Sequence, residues 1–125
     1  MNVLEINVLV LAYLGDTVYE NYVRHYLINK GIGNVNDLQT ESINYVSAKN
    51  QARFLEGMIN DNFFSEDEIS VIKRARNYKS NSHPKNTDIV TYKHATGLEA
   101  VIGYLDLIGK KDRIDLIMNR ILEEK

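Results

Sequence analysis

Apolar residues recur at steps of three and four along most of this chain, and no segment alternates convincingly with period two. The first spacing lines one face of a helix and the second one face of a strand. Val18, Tyr19, Tyr22, Val23, Tyr26 and Leu27 form one such stripe. The pattern predicts an all-α protein, a compact bundle of about six or seven helices. With 125 residues, 44% of them apolar, the chain has enough apolar side chains for one core and not for two. A single domain over 1–125 is the expectation.

Local signals place the helix ends. Gly31 stops the tyrosine-bearing helix. Asn34 or Asn36 caps the next, which carries Leu38, Ile43 and Val46. A further helix is predicted from about Ala48 to Ile59, with Ala52, Leu55 and Ile59 inward. Ser65 and Glu68 form a capping box, so a helix starts at Glu66 and buries Ile69, Ile72 and Ala75. Ser80 to Asn86, with the only proline, reads as an ordered loop. Thr87 or Asp88 caps a long helix to about Ile108, with Leu98, Val101, Ile102 and Leu105 in register, and Gly109 ends it. Asp112 caps a last helix carrying Ile114, Ile117, Met118, Ile121 and Leu122.

Cysteine is absent, which excludes disulfides and thiolate metal sites and fits a reducing cytosol. The first residues are apolar but lack a basic leader and contain Glu5 and Asp16, so they read as a core helix and not a signal peptide. No apolar run reaches membrane-spanning length. The net charge of -2 does not suggest nucleic acid at first sight, and its distribution is more informative. Lys73, Arg74, Arg76, Lys79, Lys85 and Lys93 fall in one span with His83 and His94, and Asp88 is its only acid. Such a strip can hold phosphates on an acidic protein, because counterion release depends on the contact surface. By itself the strip reads first as a solvated helix face plus a loop.

Two places interrupt the apolar pattern with groups able to do chemistry. At Leu14-Gly15-Asp16-Thr17, glycine costs roughly 1 kcal/mol in a helix interior relative to alanine. It is there either for a helix break, which Asp16 would cap, or for a close backbone approach. Glu99 sits among Leu98, Ala100, Val101 and Ile102, where a carboxylate needs a partner or a cation unless it faces outward. Glu20 is spaced to pair with Arg24. His25, His83 and His94 are scattered and have no zinc-ligand spacing. No nucleophile elbow or phosphate-cradling glycine loop is present. Oxygen ligands and a hard cation such as magnesium are the chemistry available.

Leu11 to Arg24, LAYLGDTVYENYVR, resembles the signature helix of the ribonuclease III family. Gly97 to Leu107, GLEAVIGYLDL, resembles that family's second motif, at a similar spacing. VSAKNQA (Val46 to Ala52), RARNYKS, PKNTD and TYKHAT (between Arg74 and Thr96) extend the likeness over nearly the whole chain. Without a double-stranded-RNA-binding domain, the resemblance narrows to the Mini-ribonuclease III group.

The resemblance implies a ribonuclease III-type endonuclease domain, acting as a symmetric homodimer in the cytoplasm on double-stranded RNA. It implies magnesium-dependent phosphodiester hydrolysis, with manganese able to substitute, and maturation of the large-subunit ribosomal RNA precursor. Carried over by position, Asp16 matches the catalytic aspartate and Glu99 the metal-binding glutamate. Lys73, Arg74, Arg76, Lys79 and Lys85 then become the candidate RNA contacts. Tyr13, Tyr19, Tyr22 and Tyr26 are more aromatic surface than one small core needs, so part of that set is expected at a dimer interface. Full-length members carry further acids where this chain has Ala12 and Thr96. That thinner site leaves room for a domain that binds structured RNA without cutting. Asp16 and Glu99, which a pure binder does not need, argue against it. A helical dimerisation module without RNA is the weakest reading, given the basic strip and the motif order.

Overall fold

The computed structural model describes residues 2–79 and 85–124. Among them the regular elements are a short 3-10 turn, Val3–Glu5, and six α-helices: α1 Val8–Asn29, α2 Val35–Val46, α3 Ala48–Asn60, α4 Glu66–Arg76, α5 Ile89–Leu107 and α6 Lys111–Glu124. No strand occurs among the described residues. Most of the loop expected from Ser80 to Asn86, including His83 and the proline, lies outside them.

The caps follow the local chemistry. The Asn34 side chain accepts from the Asn36 and Asp37 amides at the start of α2. Asp88 accepts from the Thr91 amide at 2.8 Å at the start of α5. The capping box at α4 is complete, with Ser65 N–H donating to Glu68 Oε1 at 2.9 Å and Glu68 N–H to Ser65 Oγ at 3.2 Å. Gly31 (φ 98°) and Gly109 (φ 76°) end α1 and α5 in the left-handed region, which glycine enters without steric cost. Asn62 (φ 53°) does the same after α3.

α5 is the central element and packs on α1, α3 and α4. Every residue of it from Ala95 to Leu105 except Glu99 is buried. A helix apolar all round must lie inside the fold, and this one does. Glu68 is 3% exposed, and its burial is offset by Arg113, which donates to it from Nε at 2.8 Å and from Nη2 at 3.0 Å. Arg113 also donates to the Phe63 carbonyl, so the start of α4 is tied to α6.

Four expectations change. α1 runs unbroken through Gly15 and Asp16, so Asp16 caps nothing. α6 begins at Lys111, which puts Asp112 in its first turn instead of at its cap. Ile69 is only half-buried, whereas Val71, absent from the expected stripe, is fully buried. Tyr19 is not interface surface: it is 0% exposed and its hydroxyl donates to the Tyr45 carbonyl at 2.5 Å.

Candidate active site at the crossing of α1 and α5

Two glycines set the distance between α1 and α5. A Cβ on Gly15 would stand 1.7 Å from the Glu99 carbonyl oxygen and 2.9 Å from the Gly103 nitrogen. A Cβ on Gly103 would stand 1.9 Å from the Leu11 carbonyl oxygen. The two backbones are therefore in direct contact, closer than any side chain allows. The glycine in the middle of α1 is explained by close approach and not by a break. Because Gly15 touches the backbone of Glu99, the next residue, Asp16, is held beside the Glu99 side chain.

The two carboxyl groups are within hydrogen-bonding reach of each other. Burial, the adjoining Asp16 carboxylate and the more distant Glu20 charge push the Glu99 carboxyl up to about 9. Gln51, reaching across from α3, opposes this by donating from Nε2 to Glu99 Oε2 at 3.4 Å. Burial pushes Tyr19 well above the usual phenol range, with the Glu99 charge adding to it and Arg53 opposing. Glu20 pairs with Arg24 at 3.3 Å, as its spacing predicts, and both side chains are exposed. No group of three or more Asp, Glu, His or Cys side chains suited to a metal occurs among the described residues. The site thus offers two adjoining carboxyl groups whose charges, when both are ionised, repel each other. Oxygen donors in that condition suit a hard divalent cation, which would offset the repulsion.

The Ribonuclease III domain family matches residues 9–109, a span that includes both carboxylates and both crossing glycines. Among curated relatives, the Mini-ribonuclease 3 of Brevibacillus brevis is 48% identical over 91% of this chain and 84% of its own length. That of Staphylococcus aureus is 42% identical over 94% and 87% respectively. The chain belongs to the ribonuclease III family, in its Mini-ribonuclease 3 group. It is by that membership an endoribonuclease of the ribonuclease III type. A crystal structure of a Fusobacterium nucleatum protein shares the fold, with a TM-score of 0.84 and 33% identity over 96% of this chain and 94% of that one.

Against the ribonuclease III pattern, both positions that lack an acid are closed. Ala12 and Thr96 are 7% and 6% exposed, and the Thr96 hydroxyl donates back to the Tyr92 carbonyl at 2.8 Å. Neither can add a charged oxygen to the pair. Of the basic strip, Lys73, Arg76, Lys79 and Lys85 are exposed and Lys93 is half-buried. Arg74 differs: its guanidinium donates to the Leu4 carbonyl at 2.6 Å and the Ile6 carbonyl at 2.5 Å. It clamps the segment leading into α1. Lys73, Arg74 and Arg76 also stand in the last turn of α4, where cations favour the helix dipole. Gln51 is the site neighbour that the periodicity leaves unremarked. It shares a face with Leu55 and Met58, so a polar residue in that buried stripe is the signal that marks it.

Proposed function

We propose that this chain is a metal-dependent endoribonuclease that cleaves double-stranded RNA as a homodimer, through one catalytic domain spanning 1–125. The observation that carries the reading is the convergence of Asp16 and Glu99 at the glycine crossing. Asp16 and Glu99 would hold magnesium, or manganese in its place. When bound, such an ion lowers the pKa of a coordinated water and neutralises charge developing on the phosphate. Asp16 is exposed and presents its charge at the surface, while Glu99 is half-buried behind it. Lys73, Arg76, Lys79 and Lys85 bind duplex phosphates in a manner largely blind to sequence, as the deep, narrow major groove of A-form RNA requires. Arg74, committed to Leu4 and Ile6, contributes through the fold. The family resemblance supports the large-subunit ribosomal RNA precursor as the physiological duplex and the cytoplasm as the compartment. No helix among the described residues is long and apolar enough to cross a membrane. Duplex RNA incubated with the protein and magnesium should be cut, and a chelator should stop it. Binding without cutting in both conditions would favour an RNA-binding role, the reading that the closed positions at Ala12 and Thr96 leave open.

Glu99→Gln should act in opposite directions on activity and stability. Cleavage should fall, with part of it restored by excess magnesium, because one anionic ligand is gone. In chelator the same variant should melt higher than wild type at neutral and alkaline pH. The sign follows from linkage. The folded-state pKa of Glu99 lies above its unfolded value of 4.5, so folding retains a proton that the unfolded chain releases. Wild-type stability is then lost as pH rises from about 4.5 toward about 9, and glutamine escapes that loss. Thermal melts at pH 5 and pH 8.5 measure it; an equal difference between the two proteins at both pH values contradicts the assignment.

The homodimer rests on an apolar patch beside the site. Leu9, Val10 and Tyr13 are 38%, 55% and 82% exposed, and Tyr13 lies one turn before Asp16. Tyr13 is the most exposed of the large apolar side chains among the described residues, and tyrosine is favoured at interfaces. A second copy meeting this face would bring two carboxylate pairs together on one duplex. Tyr13→Glu should turn a light-scattering dimer at micromolar concentration into a folded monomer. A wild-type monomer that still cuts duplex RNA would defeat the assignment.

The RNA path is tested by Lys79→Ala with Lys85→Ala. Each phosphate contact contributes about -0.7 to -0.9 to the log–log salt slope of binding. Both side chains are exposed, so the fold should be unaffected and the slope should flatten by one to two such contacts. An unchanged slope would put the RNA elsewhere.

A further inference from the structure

Gln51 is a polar side chain where local helix chemistry gives no reason for one. It lies near the start of α3 and is 3% exposed, on a face with Leu55 and Met58, which are fully buried. It is not the cap of that helix, because Ser47 Oγ accepts from the Asn50 amide and fills that role. Burying an amide is costly unless its hydrogen bonds are made well. The bond it makes, Nε2 to Glu99 Oε2, is 3.4 Å long, beyond the usual range for a strong one. It therefore offsets only part of the desolvation. A methionine or leucine of similar volume would pack beside Leu55 and Met58 without that cost. Stability alone does not account for the amide.

The amide is placed where orientation matters. Asp16 adjoins Glu99 from α1 and Gln51 donates to it from α3, so the carboxyl group is met from two helices at once. A carboxylate on a two-ligand site can turn about its last bond, and each orientation offers a cation a different geometry. Donors behind a metal ligand hold that angle, and losing one typically weakens metal affinity or activity by about 10- to 100-fold.

We propose that Gln51 is a positioning residue: by donating to Glu99 Oε2 it holds the Glu99 carboxylate in the orientation that, with Asp16, takes a divalent cation. The inference rests on the assignment of Asp16 and Glu99 made above. It predicts a side chain that contributes to cation affinity while costing the fold something.

The test is calorimetric titration of Mn2+ into wild type, Gln51→Met, Gln51→Leu and Glu99→Gln, with a thermal melt of each in chelator. Both Gln51 variants should bind Mn2+ about 10-fold more weakly or worse. They should melt at or above the wild-type temperature. Their duplex cleavage should need more magnesium for half-maximal rate, with the KM for RNA unchanged. If both bind Mn2+ like wild type while Glu99→Gln binds it more weakly, the role of Gln51 is overturned and the carboxylate assignment stands. If Glu99→Gln also binds like wild type, assignment and inference both fall. If both Gln51 variants melt far lower, and their loss of Mn2+ binding tracks the unfolded fraction, Gln51 is a packing residue and the proposal is overturned.

Discussion

Asp16→Asn is expected to lower duplex cleavage by at least about a hundredfold while the melting temperature in chelator holds or rises slightly. Removing a charged group that holds a catalytic cation takes away transition-state stabilisation of several kcal/mol, and each 1.36 kcal/mol is tenfold in rate. The fold has little reason to respond. Asp16 is exposed on a continuous helix, caps no helix end, and takes part in no described ion pair. Asparagine is close in shape and about equal to aspartate in a helix interior. Removing the charge also relieves the repulsion that Asp16 exerts on Glu99. Duplex binding should survive, because the proposed phosphate contacts lie on other side chains. Single-turnover cleavage with saturating protein separates the chemistry from binding. A wild-type single-turnover rate would remove Asp16 from the site.

The features legible in the sequence are those that neighbouring residues decide. The Asn34 and Asp88 caps, the Ser65–Glu68 box and the stops at Gly31 and Gly109 each depend on a few consecutive residues, and each is found where the pattern puts it. Asp16 and Glu99 could be paired by resemblance alone; local pattern does not show their meeting, because it depends on Gly15 touching a backbone far along the chain. From one end of that contact, glycine reads first as a break capped by Asp16. Tyr19 stands both in the apolar stripe and among the tyrosines offered for an interface, since nothing nearby shows that the Tyr45 carbonyl waits for its hydroxyl. Arg74 counts as one more cation in a strip until the Leu4 and Ile6 carbonyls are seen to occupy it. In each case a side chain's role is set by a partner on another element, which periodicity does not reveal.

Gly15→Ala should invert the ordinary helix rule. Alanine in a helix interior is normally favoured over glycine by about 1 kcal/mol. Here the added carbon would lie 1.7 Å from the Glu99 carbonyl oxygen, and that neighbour is backbone, which cannot rotate away. α1 and α5 must separate by more than an ångström at this crossing. Forcing atoms into a packed core typically costs about 1–3 kcal/mol, and a backbone-on-backbone clash belongs at or above the top of that range. For a domain of this size, about 3 kcal/mol corresponds to a fall in melting temperature of roughly 12 °C. Gly103→Ala should do the same, because its Cβ would stand 1.9 Å from the Leu11 carbonyl oxygen. Gly57→Ala is the control: the nearest atom to its Cβ is the Arg120 Nη2 at 4.0 Å, so the helix rule should hold and stability should stay level or rise. Activity should fall further than unfolding explains, because the same contact brings Asp16 to Glu99. Measured well below its melting temperature, Gly15→Ala should therefore cut duplex RNA slowly even while folded. A Gly15→Ala protein that melts and cleaves like wild type would show that the two helices are not in contact at this point, and the candidate site would lose its frame.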